Sequence, residues 1–479
     1  MIPASDSYDA RLVERRRPFD RMESRIVRLH LEKPSAETDQ VVDALRYVVS
    51  FARLTTVKNA SERDVDVHGV LGLHAQQVSD LLAPRLDGAT SLWEAVRVLP
   101  DLVERTLRVR KSVLDHLPVD REALESEVTT RLLAVVSGGG GGAGYAYPGC
   151  YEELERNGLV PNLMVGTSIG GLMSMFRARR KRFDPVPMVQ AGRSLSWSNV
   201  FRVLESESRY GLPATLRLYL RTAIGNLFRH SDGRPVRISE MEIPLYIMAT
   251  GITVDALKHD LHWYEHLLDS DVKRTLRGSI SGVAKTAALL REFLARPDAL
   301  VEMAIGRAPG TEQFDVLDAA GFSAAIPGVI HYDVLRDDAH MKRVLDELYA
   351  SYGITRLGEG GMVANVPARV AWETITSGKF GRRNSFVLAL DCFAPNPRMI
   401  AWVPFTQMVR SANVDANRAF ADLYLPLSRT LSPLNLVPPI RDFLQAMRWG
   451  KEEMKPHMPY ITTMMRPIPV LHEPVVGTL

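Results

Sequence analysis

The first 128 residues carry apolar side chains at helical intervals. In VVDALRYVVSFARL (41–54), Val41, Leu45, Val48, Val49 and Ala52 fall on one face, the period of an amphipathic helix. SLWEAVRVLPDLVERTLRVRKSVLDHL (91–117) continues the pattern with a break at Pro100, and DREALESEV (120–128) adds a further helical turn or two. No chemistry-bearing cluster stands out here, and the region is expected to pack on the main domain or on a partner.

The pattern changes near residue 131. RLLAVV (131–136) is a short apolar, strand-like run that ends in five glycines, Gly138 to Gly142. CYEELERNG (150–158) reads as a helix stopped by Gly158, NLMV (162–165) as a second strand, GTSIGG (166–171) as a sharp turn and GLMSMFRARRKR as a helix. Strand, loop, helix, strand, turn, helix is the opening of a parallel α/β sheet. IPLYIMAT (243–250) and SFVLAL (385–390) are further strands, with helical SGVAKTAALLREFLA (281–295) between them. From about residue 400 the chain is rich in Pro, Met and Leu, and its prolines forbid one long helix. The expected organisation is a helical region over 1–128, an α/β domain over 129–398 and a C-terminal extension over 399–479.

The chain of 479 residues has room for two or three domains, or one elaborated domain. Its 46% hydrophobic and 24% charged content is ordinary for a soluble globular protein. A net charge of +3 is too small to point to nucleic acid. The basic clusters Arg15-Arg16-Arg17 and Arg179-Arg180-Lys181-Arg182 read first as solvated helix ends, and alternatively as contacts for phosphates or an anionic membrane. Two cysteines, Cys150 and Cys392, exclude a disulfide framework and fit a reducing compartment. The N-terminus lacks the apolar stretch of a signal peptide, and no run reaches the ~18 apolar residues of a spanning helix. The expectation is a soluble, cytoplasmic protein able to lie on a membrane surface, its oligomeric state left open.

The glycine run has three readings. A flexible linker has polar flanks, whereas this run lies between AVV and YAYPG. A dinucleotide loop is the second reading, since Gly139, Gly141 and Gly144 satisfy G-x-G-x-x-G between a strand and a helix. The following strand, however, ends LMVGTSIG without the acidic residue of that fingerprint. An oxyanion hole is the third, because glycine lets backbone N–H groups approach a ligand closely. That reading needs a nucleophile nearby. GTSIG (166–170) supplies one, matching the G-x-S-x-G elbow that lifts a serine above a sheet. Ser168 would stand at a helix N-terminus, where exposed N–H groups and the helix dipole favour an oxyanion.

With these motifs in place, SGGGGGAGYAYPGCYEELERNGLVPNLMVGTSIGGL resembles the opening of the patatin-like phospholipases, whose glycine-rich oxyanion loop precedes G-x-S-x-G by one helix. IPLYIMATGIT (243–253) is similar to the family's strand segment ending in Ala-Thr, and DAAGFSAAIPGVI (318–330) to its Ala-Ser-x-Ala-x-Pro-rich helix and turn. GEGGMVANVPARVAWE (358–373) is similar to the segment that carries the catalytic aspartate. These motifs stand in the family's order over about 130–395 and leave 1–128 and 400–479 uncovered. The resemblance implies a three-layer α/β/α fold with a mainly parallel sheet, lipid esters as substrates, a Ser-carboxylate dyad without histidine, and no metal or organic cofactor.

Carried over residue by residue, the resemblance makes Ser168 the nucleophile, Glu359 the general base, and the N–H groups of Gly139, Gly140, Gly141 and Gly142 the oxyanion hole. Two positions depart from the family. Glu359 stands where the aspartate is usual, although Asn365 and Pro367 keep the register, and Ala143 replaces a basic residue. Asp391, at the end of SFVLAL, is the alternative carboxylate. His259, His262 and His266 in KHDLHWYEH read as an ordinary surface, with a metal site as the alternative, and His331 could approach the serine. Apolar stretches in 196–228 and in the C-terminal region could form an acyl channel, touch a membrane or pack as core. The expected function is lipid acyl hydrolysis of the phospholipase A or lipase type. The two departures motivate a second reading, a catalytically impaired protein that binds lipid or a protein partner.

Overall fold

Apolar runs too short for helices build the central sheet. The computed structural model describes residues 10–34, 36–203, 209–253, 299–335, 337–393 and 414–472. The expected helix at 281–295 and the three histidines His259, His262 and His266 lie outside the described residues. The strands are β1 (Thr56–Lys58), β2 (Asp64–Asp66), β3 (Leu132–Ser137), β4 (Leu163–Thr167), β5 (Phe201–Val203), β6 (Ala214–Leu218), β7 (Leu245–Thr253), β8 (Leu300–Ile305), β9 (Gly328–His331), β10 (Ile354–Glu359), β11 (Ser385–Asp391) and β12 (Leu423–Pro426). The central order is β10-β7-β4-β3-β11-β12, with β8 also on β7. β3–β4, β4–β7 and β11–β12 pair in parallel, whereas β8 and β10 join β7 antiparallel. Every residue of β3, β4 and β11 is buried, as expected of strands covered on both faces. β5, β6 and β9 form a separate three-stranded sheet.

The chain divides into two compact units. One takes in Ala134–Ala371 and Val387–Lys455; the other takes in the described residues up to Leu133, Trp372–Phe386 and the described residues from Pro456 on. In the second unit, the helices Ala10–Glu32, Ala36–Ala52, His68–Leu86, Leu99–His116 and Arg121–Thr129 follow the helical period. Leu45, Val48, Val49 and Ala52 join one apolar cluster with Leu29 and Val78, and Val41 packs at its edge. Pro100 falls in the first turn of Leu99–His116, where its missing N–H costs no hydrogen bond. The β1–β2 ribbon interrupts the otherwise helical region.

One basic cluster is not a solvated helix end. Arg16 and Arg17 are buried. Arg16 donates to the Arg383 carbonyl at 2.7 Å, and Arg17 pairs with Asp20 at 3.1 Å. Arg53 reaches Asp20 at 2.8 Å and Glu23 at 3.3 Å, Arg46 reaches Glu23 at 3.1 Å, and Arg131 also pairs with Glu23. A charge run reads as exposed until its partners arrive from elsewhere in the chain. Glu23, wholly buried, thus faces three guanidinium groups. Breaking a buried ion network by removing one partner costs about 3–5 kcal/mol. Glu23→Gln is therefore expected to lower the urea midpoint by a corresponding amount, and an unchanged midpoint would show that the network does not hold this unit together.

Candidate active site

Sheet register brings the serine and the glutamate together. Thr167, the last residue of β4, pairs with Met248 of β7, and Glu359, the last residue of β10, pairs with the next β7 residue, Ala249. Ser168 follows Thr167 directly, so two residues 191 positions apart meet at one sheet end. Ser168 Oγ donates to Glu359 Oε2 at 3.1 Å. Glu359 Oε1 accepts the Gly361 N–H at 3.2 Å, and the Glu359 carbonyl accepts from Thr250 Oγ1 at 2.7 Å. Both carboxyl oxygens are thereby assigned, one to the serine and one to the turn that follows the strand.

Ser168 has φ 55° and ψ −127°, and only Glu62 joins it among the described non-glycine residues with positive φ. Such a conformation costs of order 1–3 kcal/mol and persists only where its surroundings fix it. Three contacts do so. The Ser168 N–H donates to Ser323 Oγ at 2.7 Å, the Ser168 carbonyl accepts from Leu172 at 3.1 Å, and Thr167 Oγ1 donates to the Ala364 carbonyl at 2.9 Å. A side chain at Gly170 would overlap the Ser137 carbonyl, so the elbow admits only glycine there. Ser168 then opens the helix Ile169–Ala178, whose dipole points its positive end at the hydroxyl.

The glycine loop is neither a linker nor a phosphate cradle. The Gly138 N–H donates to the Leu390 carbonyl at 3.0 Å, and the Gly139 N–H is shared at 3.2 Å between the backbone and side-chain oxygens of Asn365. The Gly142 N–H donates to the Pro433 carbonyl at 2.9 Å. Carbonyl oxygens of Ser432, Pro433 and Asn435 crowd Gly141 and Gly142 and would repel a phosphate. Two of the four expected oxyanion donors, Gly139 and Gly142, therefore serve the loop itself. Among the described residues, the N–H groups of Gly140 and Gly141 have no protein acceptor. A Cβ on Gly139 would lie 2.7 Å from Asn365 Oδ1 and 3.1 Å from the Ser168 Cβ.

Ser168 and Gly141 line an apolar cavity of about 120 Å³. Its walls include Leu172 and Met173 from the helix after the serine, Phe201 and Ile224 from the 196–228 stretch, and Leu436 and Phe443 from the C-terminal region. Among the described residues no arginine or lysine lines it, and Ala143 is buried in the loop. Burial pushes the Glu359 carboxyl up to about 8, against the opposing pull of the Gly361 N–H and the Ser168 hydroxyl.

The other candidates lie apart. Asp391 accepts from the Phe393 N–H at 2.8 Å and from the Tyr424 hydroxyl, and it does not line the cavity. His331 is buried, with Nδ1 2.8 Å from the Leu212 carbonyl and Nε2 3.7 Å from Asp333, and it too is absent from the cavity wall. Asp315, Asp318 and Asp338 converge closely enough for a cation. Arg221 already fills that role, reaching Asp315 at 2.6 Å and Asp338 at 3.2 Å. Two contributors have no site role assigned from the sequence. Ser323 is the serine of the Ser-x-Ala-x-Pro segment (318–330), which the resemblance marks without giving it a part in the site, and the stretch around Pro433 and Leu436, which also accepts the Tyr145 hydroxyl at 2.6 Å, belongs to no motif.

Residues 135–372 match the family model described as patatin-like phospholipase. A relative, patatin-like phospholipase domain-containing protein 7 of Rattus norvegicus, is 25% identical over 166 residues, 34% of this chain and 12% of the relative. The Mus musculus protein of the same name is 26% identical over 189 residues, 39% of this chain and 13% of the relative. The chain thus aligns with about an eighth of the length of these relatives. Pro433, Leu436 and Phe443 lie beyond the residues that the family model matches. No helix among the described residues is long and apolar enough to cross a membrane.

Proposed function

The chain belongs to the patatin-like phospholipase family, and from that premise we propose that it hydrolyses carboxylic esters of lipids with Ser168 as nucleophile and Glu359 as general base. The observation that carries this reading is the 3.1 Å contact between Ser168 Oγ and Glu359 Oε2 at the wall of an apolar cavity.

In this reading, Glu359 takes the hydroxyl proton as Ser168 Oγ attacks the acyl carbonyl. The carbonyl oxygen becomes an oxyanion facing the unengaged N–H groups of Gly140 and Gly141, with the helix Ile169–Ala178 adding its positive end. Collapse of the tetrahedral intermediate breaks the ester C–O bond, and Glu359 returns its proton to the departing alcohol. Water then attacks the acyl-serine with Glu359 again as base, and Ser168 recovers its proton as the fatty acid leaves. The cavity receives the acyl chain. No step uses histidine.

Release of fatty acid from phosphatidylcholine vesicles and of p-nitrophenol from p-nitrophenyl butyrate tests the reading. Turnover above background in both is expected, and background rates in both would overturn it. A second reading, lipid binding without turnover, draws on Ala143 standing where the family carries a basic residue and on the raised Glu359 carboxyl. It predicts vesicle binding together with background rates.

Gly139→Ala probes the loop. Its methyl would press on Asn365 Oδ1 and on the serine, and a displacement of ~1 Å at a reacting atom costs ~100-fold. A fall of that order in kcat with little change in KM is expected from initial rates on p-nitrophenyl butyrate. An unaltered kcat would remove Gly139 from the machinery.

A further inference from the structure

We propose that the rim of the Ser168 cavity is a docking surface for an anionic phospholipid bilayer; this rests on the lipid-ester reading of the site. Four large apolar side chains stand in solvent beside the cavity. Val186 is 53% exposed, Trp197 49%, Leu434 59% and Leu444 36%. Each adjoins a residue of the cavity wall. Val186 stands two residues before Met188, the Trp197 ring packs on Phe201 with centroids 4.8 Å apart, Leu434 stands two residues before Leu436, and Leu444 follows Phe443. The two segments that carry them meet: a Cβ placed on Gly192 of the helix Val186–Ser194 would be in van der Waals contact with Phe443 and Ile440 of the helix Ile440–Met454, and Gly192 and Phe443 both line the cavity.

An exposed apolar patch needs an occupant, and charge identifies this one. Residues 186–202 and 432–448 hold Arg193, Arg202, Arg441 and Arg448, all exposed, against the single carboxylate Asp442 beside Arg441. Basic side chains around apolar ones, with a tryptophan among them, match the headgroup and upper acyl layers of an anionic leaflet. The same arrangement disfavours a second copy of the chain, which would set the arginines of the two rims against each other. Docking by this rim opens the cavity onto the bilayer, so an acyl chain can pass from lipid to Ser168 without crossing water.

Co-sedimentation of full-length Ser168→Ala protein with vesicles of phosphatidylcholine alone, or mixed with phosphatidylserine, tests the proposal without substrate turnover. Binding is expected to be stronger to the anionic vesicles and to weaken with added salt. The double variant Trp197→Glu, Leu434→Glu in that background should lose roughly tenfold or more of its partitioning. In the wild-type background the same pair should keep its hydrolysis of soluble p-nitrophenyl butyrate, since neither side chain lines the cavity, and its urea midpoint. Equal partitioning of variant and parent, or no preference for anionic vesicles, would overturn the proposal. So would a parent that elutes as a dimer and a variant that elutes as a monomer. Vesicle binding without hydrolysis of the soluble ester would refute the enzyme reading and leave the docking surface standing.

Discussion

Ser168→Ala is expected to lower ester turnover at least about a thousandfold while the protein stays folded. The substitution removes one atom, the oxygen that would bond to the acyl carbon. The rest of the elbow is held by groups that alanine keeps: the backbone N–H on Ser323, the backbone carbonyl on Leu172 and the neighbouring Thr167 on Ala364. The φ of 55° is as strained for alanine as for serine, so folding stability should change little. Water can still enter the cavity and Glu359 can still act as a base, so a small residual rate is compatible with the mechanism. The check is kcat/KM on p-nitrophenyl butyrate beside a far-ultraviolet dichroism spectrum. A variant within tenfold of the parent would mean that ester cleavage does not pass through Ser168.

How much of this could be read beforehand follows a physical division. β3, β4 and β11 announce themselves because strands buried on both faces must be continuous apolar runs. Ser168 and Glu359 stand in local patterns, a glycine-flanked elbow and a Gly-Gly turn, that carry their own backbone requirements. What local pattern cannot hold is pairing. The approach of Glu359 to Ser168 depends on Met248 and Ala249 being consecutive partners of β4 and β10, a fact about β7 and not about either motif. The same limit explains the glycine loop. Four bare N–H groups look equivalent along the chain, and they become inequivalent only when Asn365 claims one and Pro433 another. Arg16 shows the limit for charge, since the carbonyl it reaches, that of Arg383, comes from 367 residues further along the chain.

The pH profile should carry the signature of Glu359. A general base works only when ionised, and this carboxyl is pushed up to about 8 by burial. At pH 7 roughly a tenth of the protein would hold the active carboxylate, and kcat/KM should climb through about pH 8 to a plateau. Glu359→Gln keeps the shape, removes the base, and should cost about 10²–10⁴-fold and flatten that rise. Stability should move the opposite way. Because the folded-state value lies above that of the unfolded chain, the native protein holds the proton more tightly, so this group's contribution is greatest below about pH 4.3 and is lost as pH rises through about 8. Gln carries no such loss. Above pH 8 the variant should exceed the parent by roughly 2–4 kcal/mol in urea unfolding, the carboxyl's partial exposure trimming the full linkage value, and the two should converge near pH 4. Glu359→Asp separates the carboxylate from its reach. The longer stem lets one oxygen rest on the Gly361 N–H while the other meets Ser168, so a shorter acid should react more slowly while keeping a pH-dependent rate. A fully active Gln variant would show that Glu359 does not serve the serine, and a stability difference from the parent that stays constant between pH 4 and pH 9 would show that the native protein does not raise this carboxyl.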